Sequence, residues 1–104
     1  MDFTYIKDLC NGVVLAIEKK EAQNEIFNLT YGASRTINNL KDILLDHFPK
    51  AKISYEKRDK LMPKRGTLSI NKAKKLLGYN PSFSIDEAYP KYIEWYTNFL
   101  KKQI

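Results

Sequence analysis

An α/β chain of the α-plus-β kind, with about four helices and three short strands, is what this sequence predicts, and three observations carry that prediction. Four segments repeat apolar residues at the i, i+3, i+4 spacing of an amphipathic helix. Three short runs are β-branched, aromatic or alternating in polarity and read as strands. The four Gly and four Pro stand singly, most of them at the borders of these segments, and form no linker, so residues 1–104 read as a single domain or a fragment of one.

Phe3-Thr4-Tyr5-Ile6 is the first expected strand. Asp8 is placed to cap a helix from Leu9 to about Lys20, whose apolar face gathers Leu9, Cys10, Val13, Val14, Ala16 and Ile17. Gly12 inside it points to a close approach by another backbone. Glu25 to Leu29 is an apolar run that reads as a buried strand ending in the turn Tyr31-Gly32. Ser34 or Thr36 then caps a helix striped with Ile37, Leu40, Ile43, Leu44 and Phe48, which Pro49 stops. Ala51 to Glu56 alternates and reads as a third strand with one wet face, followed by a polar loop from Lys57 to Thr67. Ser69 to Gly78 is a short helix that Gly78 ends in the left-handed conformation, and Pro81 bars its continuation. Ser84 and Glu87 have the spacing of a capping box. The closing helix carries Tyr89, Tyr92, Ile93, Tyr96, Phe99 and Leu100, the largest apolar payload in the chain, and Pro90 either kinks it or marks its true first turn.

Composition narrows the function. The chain is 43% hydrophobic and 12% aromatic, which argues against disorder. Met1-Asp2-Phe3-Thr4 is unlike a signal peptide, no run approaches a membrane span, and Cys10 is the only cysteine, so a reducing cytoplasm is the expected setting. The net charge of +6 is concentrated: residues 50–75 hold ten Lys and Arg against Glu56 and Asp59, a local net of +8. Such a stretch suits a solvated lysine-rich face, or a small basic module that takes nucleic acid or phosphorylated ligands through residues 50–75. The aromatics of residues 89–99 stand at core spacing without interleaved cations, which disfavours a base-stacking platform.

Catalytic constellations are missing. His47 is the single histidine and sits at a helix end, where a cation steadies the carbonyl terminus. With no second His and no Cys pair, no metal site is expected. Gly12, Gly32, Gly66 and Gly78 are too far apart for a dinucleotide-binding turn. None of the seven Tyr is followed four residues later by Lys.

Several stretches nevertheless fall together: Asp2-Phe3-Thr4-Tyr5-Ile6-Lys7-Asp8-Leu9, Asn11 to Lys19, Glu25 to Leu29, Arg65-Gly66-Thr67-Leu68-Ser69-Ile70-Asn71-Lys72-Ala73, Leu76 to Pro81 and Glu94-Trp95-Tyr96. In this order and spacing they resemble the C-terminal third of an NAD-dependent nucleotide-sugar epimerase/dehydratase of the extended short-chain dehydrogenase family. The resemblance runs from about Asp2 to Tyr96. It implies the substrate-binding portion of such an isomerase, with the glycine-rich NAD turn and the Tyr-x-x-x-Lys pair lying outside these residues. The chain is then not catalytic alone, and NAD belongs to the full-length parent.

The resemblance also implies a site. Arg58 is the best match to the family's diphosphate-binding Arg, Asp59 to a carboxylate facing sugar or ribose hydroxyls, and Tyr5 falls near the substrate cleft. A planar guanidinium can bond two phosphate oxygens at once, as Lys cannot. Arg65 is a further candidate that equally braces its loop, with Gly66 permitting a tight turn. Met1 stands where family members carry another diphosphate-binding Arg, which points to a cut chain or a fragment gene. The expected ligand is a UDP- or dTDP-sugar in the parent context. Surfaces on the Leu9 to Ile17 helix and the Glu25 to Leu29 run, normally resting on an NAD-binding domain, would lie open here. A homo-oligomer, or a missing NAD-binding domain, is the expected partner.

Overall fold

Four helices carry the chain, in a computed structural model that describes residues 1–103: α1 (Ile6–Glu18), α2 (Ile37–His47), α3 (Asn71–Leu77) and α4 (Ile85–Lys102), with a single 3₁₀ turn at Lys20–Ala22. Among the described residues there is no strand, which corrects the expected α/β architecture. The runs at 3–5, 25–29 and 51–56 are neither helical nor paired. Their side-chain patterns favour an extended backbone, but a strand exists only when a neighbour takes its amides and carbonyls, and no run here meets another in a ladder. Two isolated hydrogen bonds tie these regions instead: the Arg35 amide donates to the Met1 carbonyl at 2.8 Å, and the Asn28 side chain donates to the Ser69 carbonyl at 3.2 Å.

α1 begins earlier than its pattern suggests, with extended Tyr5 as its first flanking residue. Asp8 is therefore not a cap. It lies within the first turn, 5% exposed, and its two carboxylate oxygens accept the amides of Ser82 and Phe83, each at 2.9 Å. α2 is capped by Thr36: the Asn39 amide donates to Thr36 Oγ1 at 3.1 Å and the Thr36 amide to Asn39 Oδ1 at 3.0 Å. His47 closes it, Nδ1 donating to the Ile43 carbonyl at 3.0 Å. α3 ends where Gly78 takes φ +68°, so that the Gly78 and Tyr79 amides bond back to Lys74 and Ala73. Ser84 precedes α4, yet its hydroxyl takes no amide and instead donates to Glu87 Oε1 at 3.4 Å, so the expected capping box does not form. Pro90 lies inside an uninterrupted α4.

The core gathers around α3. Ile70, Ala73, Leu77 and Tyr79 are buried, and Leu15, Ala16, Ala22, Phe27 and Leu29 pack on them. Gly12 faces this cluster, where an added Cβ would lie 3.0 Å from both Leu29 Cδ2 and Tyr79 Cε2. The close approach expected at Gly12 is thus made by side chains rather than by another backbone. α4 buries Ile85, Ala88 and Ile93, while Tyr92, Trp95, Tyr96, Phe99 and Leu100 remain exposed. Of the stripe read as core, Ile93 is buried and Tyr89 half-buried, while the rest is a surface of this chain. The molecule is broad and flat, 50 × 40 × 21 Å. No described helix is long and apolar enough to cross a membrane.

Candidate functional site

The residues singled out from the sequence divide between two places. Arg58, Asp59 and Arg65 occupy the loop between residue 51 and α3; Tyr5 sits on the approach to α1.

The loop makes its own turn. Asp59 accepts the Leu61 amide on Oδ1 at 2.9 Å, and its carbonyl accepts the Met62 amide at 3.1 Å. Aspartate favours such turns because its short carboxylate reaches the backbone two residues on. The Arg58 guanidinium closes the turn, one Nη2 donating to the Pro63 carbonyl at 2.7 Å and to the Met62 carbonyl at 3.4 Å. Arg58 thus spends one nitrogen on the loop and keeps Nε and Nη1 for other acceptors. Arg65 is exposed, and around Gly66 there is open space within 4 Å of an added Cβ, so nothing steric calls for glycine there. Downstream, Asp2 takes the Leu68 amide at 3.4 Å and the Gly32 amide at 3.3 Å, tying the loop's end to the start of the chain. Lys72 pairs with Glu25 at 2.6 Å and lies over the Phe27 ring. The loop is therefore anchored at its α3 end and self-bonded around Arg58.

Tyr5 lies in the second place, a groove of about 810 Å³ between the N-terminal segment and α4. Its walls include Phe3, Tyr5, Phe83, Tyr89, Tyr92 and Trp95, with Lys7 and Lys91 as its only charged lining residues. The Tyr5 ring meets Phe83 edge-on at 4.8 Å. Phe83 is held there by Asp8, whose oxygen takes its amide. Arg58, Asp59 and Arg65 do not line this groove. The aromatic wall escaped sequence reasoning because its i, i+3, i+4 spacing is also that of a core helix; tandem stacking of Tyr89, Tyr92 and Tyr96 and of Trp95 on Phe99 emerges only in three dimensions.

Electrostatics tie the α2 approach to α4. Arg35 grips both carboxylate oxygens of Asp86. That hydrogen bond holds the Asp86 carboxyl below its ordinary range and pushes the guanidinium up. Tyr79 differs: burial, with a smaller effect of Asp8 and Asp2, pushes its phenol above 10.0, and its hydroxyl donates to the Thr30 carbonyl at 2.8 Å. Among the described residues no three His, Cys, Asp or Glu side chains gather as metal ligands. The glycines, at 12, 32, 66 and 78, are too far apart in sequence to form a glycine-rich dinucleotide-binding turn.

Comparison with known proteins adds a further observation. No family model matches the chain. It is 36% identical over 96 residues to the UDP-glucuronate 4-epimerase of Thermodesulfobacterium geofontis, covering 90% of this chain and 29% of that enzyme. It is 33% identical over 104 residues to an uncharacterized protein of Methanocaldococcus jannaschii, covering 91% and 29%. UDP-glucuronate 4-epimerase 4 of Arabidopsis thaliana is 27% identical over 115 residues, covering 94% and 26%. The chain thus spans less than a third of the length of the curated relatives it matches.

Proposed function

We propose that this chain is the nucleotide-sugar-binding C-terminal portion of an NAD-dependent epimerase/dehydratase, contributing grip and orientation while the oxidising chemistry resides outside these residues. The supporting observation is the alignment of nine-tenths of the chain with an enzyme named UDP-glucuronate 4-epimerase. Arg58 supplies the diphosphate contact through its Nε and Nη1, its Nη2 being held by the Pro63 carbonyl. This pre-set geometry lowers the rotamer entropy lost on binding. Asp59 faces hydroxyls beside it, and Tyr5 presents its ring on the groove side. Arg65 and the neighbouring lysines add long-range attraction for the anion.

Binding is tested by calorimetric titration of UDP-glucuronate, with Arg58→Ala and Arg58→Lys alongside. Loss of a charge-assisted, forked contact weakens binding by about tenfold or more in the alanine variant, with Lys restoring little. Equal affinity in all three proteins overturns the role of Arg58.

A second reading has its own support. Of the ten cations in residues 50–75, only Lys72 is in an ion pair among the described residues, so this face is free to meet a polyanion. Duplex DNA or RNA titrated at ~50 and ~200 mM salt distinguishes it: a basic module loses affinity steeply across that range and ignores the nucleotide sugar.

A further inference from the structure

α4 changes character along its length. Ile85, Ala88 and Ile93 are buried, but Tyr92, Trp95, Tyr96, Phe99 and Leu100 are 43–58% exposed. Their spacings, i, i+3, i+4, i+7 and i+8, set them in one stripe about two turns long. The rings follow one another closely, with Tyr92 6.0 Å from both Trp95 and Tyr96, and Trp95 5.4 Å from Phe99. Nor does the apolar surface stop at the helix. Ile6, 60% exposed, lines the same groove as Tyr92 and Trp95 and carries the patch across it. A continuous exposed patch of this kind marks either a protein partner or a membrane.

The charges at its edge favour a membrane of anionic lipid. Lys91, Trp95 and Lys102, at i, i+4 and i+11, share one side of α4. Lys7 lines the groove with Lys91, and no acidic residue does. Glu94 stands about 100° round the helix from Trp95. Tyr and Trp combine an apolar body with a polar tip, the combination that settles where headgroups meet acyl chains. Lysines beside them can lay their stems on the apolar layer and reach lipid phosphates with their ammonium groups. The net charge of +6 adds attraction to any anionic surface. A second copy brings the same +6 and the same cationic edge, which oppose self-pairing.

We infer that the aromatic stripe of α4 is a membrane-surface anchor, seated in the interface of an anionic bilayer with Lys7, Lys91 and Lys102 on the headgroup phosphates. α4 is not long and apolar enough to cross a membrane, so the chain lies on the bilayer and does not span it. This goes beyond the nucleotide-sugar reading and does not depend on it.

Trp95 is the single tryptophan, so its emission reports on the stripe alone. The test adds vesicles of equal parts phosphatidylcholine and phosphatidylglycerol to the full chain, with vesicles of phosphatidylcholine alone in parallel. With the mixed vesicles the emission is expected to shift to the blue and to be quenched by acyl chains brominated near the headgroup. Affinity for the mixed vesicles, measured by co-sedimentation, should exceed that for phosphatidylcholine at least about tenfold, each lysine near the surface being worth about fivefold. Lys91→Glu combined with Lys102→Glu should weaken co-sedimentation at least about tenfold, and Trp95→Ala by a similar factor. Both sites are exposed, so circular dichroism should show unchanged helix content. Three results would overturn the inference. The first is no co-sedimentation with the mixed vesicles. The second is co-sedimentation with Trp95 emission unshifted and unquenched, since the lysines of residues 50–75 then hold the lipid without the stripe. The third is a blue shift without vesicles that grows with protein concentration alongside a doubled mass by light scattering, since a second copy then covers the stripe.

Discussion

α3 and α4 differ in what their patterns became. α3 has seven residues, two of which, Ala73 and Leu77, are 1% exposed. α4 has eighteen, with a longer and more aromatic stripe, yet Trp95 stays 58% exposed. The difference lies in neighbours. α3 is met by α1, the 3₁₀ turn, Phe27 and Leu29. α4 meets α2 and the N-terminal segment, yet Tyr92, Trp95, Tyr96, Phe99 and Leu100 stay exposed. Hydrophobic periodicity says that a face seeks cover; it does not say that the cover lies in the same 104 residues.

The sharpest way to test that contrast is at the packed end. Leu77→Ala removes a fully buried side chain and leaves a cavity against Ala73 and Tyr79, costing about 2–5 kcal/mol. For a chain this small that is a large part of total stability, and urea unfolding should show a midpoint displaced accordingly. An unchanged midpoint would mean the α3 core does not form in solution.

Tyr79→Phe is the intermediate case. It gives up the hydroxyl bond to the Thr30 carbonyl, worth about 0.5–1.5 kcal/mol. Because burial raises the folded-state phenol above its unfolded value of 10.0, the folded form resists ionisation. The stability this contributes is present in full below the unfolded value and is lost as pH rises through the folded one. Melting curves between neutral pH and pH 11 should therefore fall more steeply at the alkaline end for the parent than for the Phe variant. Parallel curves would show that Tyr79 is open to water.

Trp95→Ala is the smallest change expected. With the indole more than half exposed, stability shifts by about 0.5 kcal/mol or less despite the size of the side chain. A loss comparable to that of Leu77→Ala would show that the aromatic stripe is covered in solution, by another copy or by a rearranged fold.

The two carboxylates nearest the chain start illustrate where local reasoning reaches its limit. Asp8 has the spacing of a helix cap, and a cap is the cheapest local use for it. Tertiary structure gives it a better one, two amides of the loop before α4, because a buried carboxylate is most stable when several N–H groups converge on it. Asp2 likewise serves residues 30 and 66 positions away. The site divides in the same fashion. That Arg58 and Asp59 share one turn is legible from adjacency and turn chemistry. The separation of Tyr5 from them, and the aromatic groove it joins, is not, because groove walls are drawn from elements distant in sequence.

Helix existence, the Thr36 start, the stop before Pro49 and the left-handed Gly78 were decided by the sequence alone, since each depends on contacts within a turn or two of chain. Strand formation and the fate of each apolar face were decided only by the tertiary structure. A β-run needs another backbone at hydrogen-bonding distance, and an apolar stripe needs a matching surface. Neither partner is encoded in the run or the stripe itself.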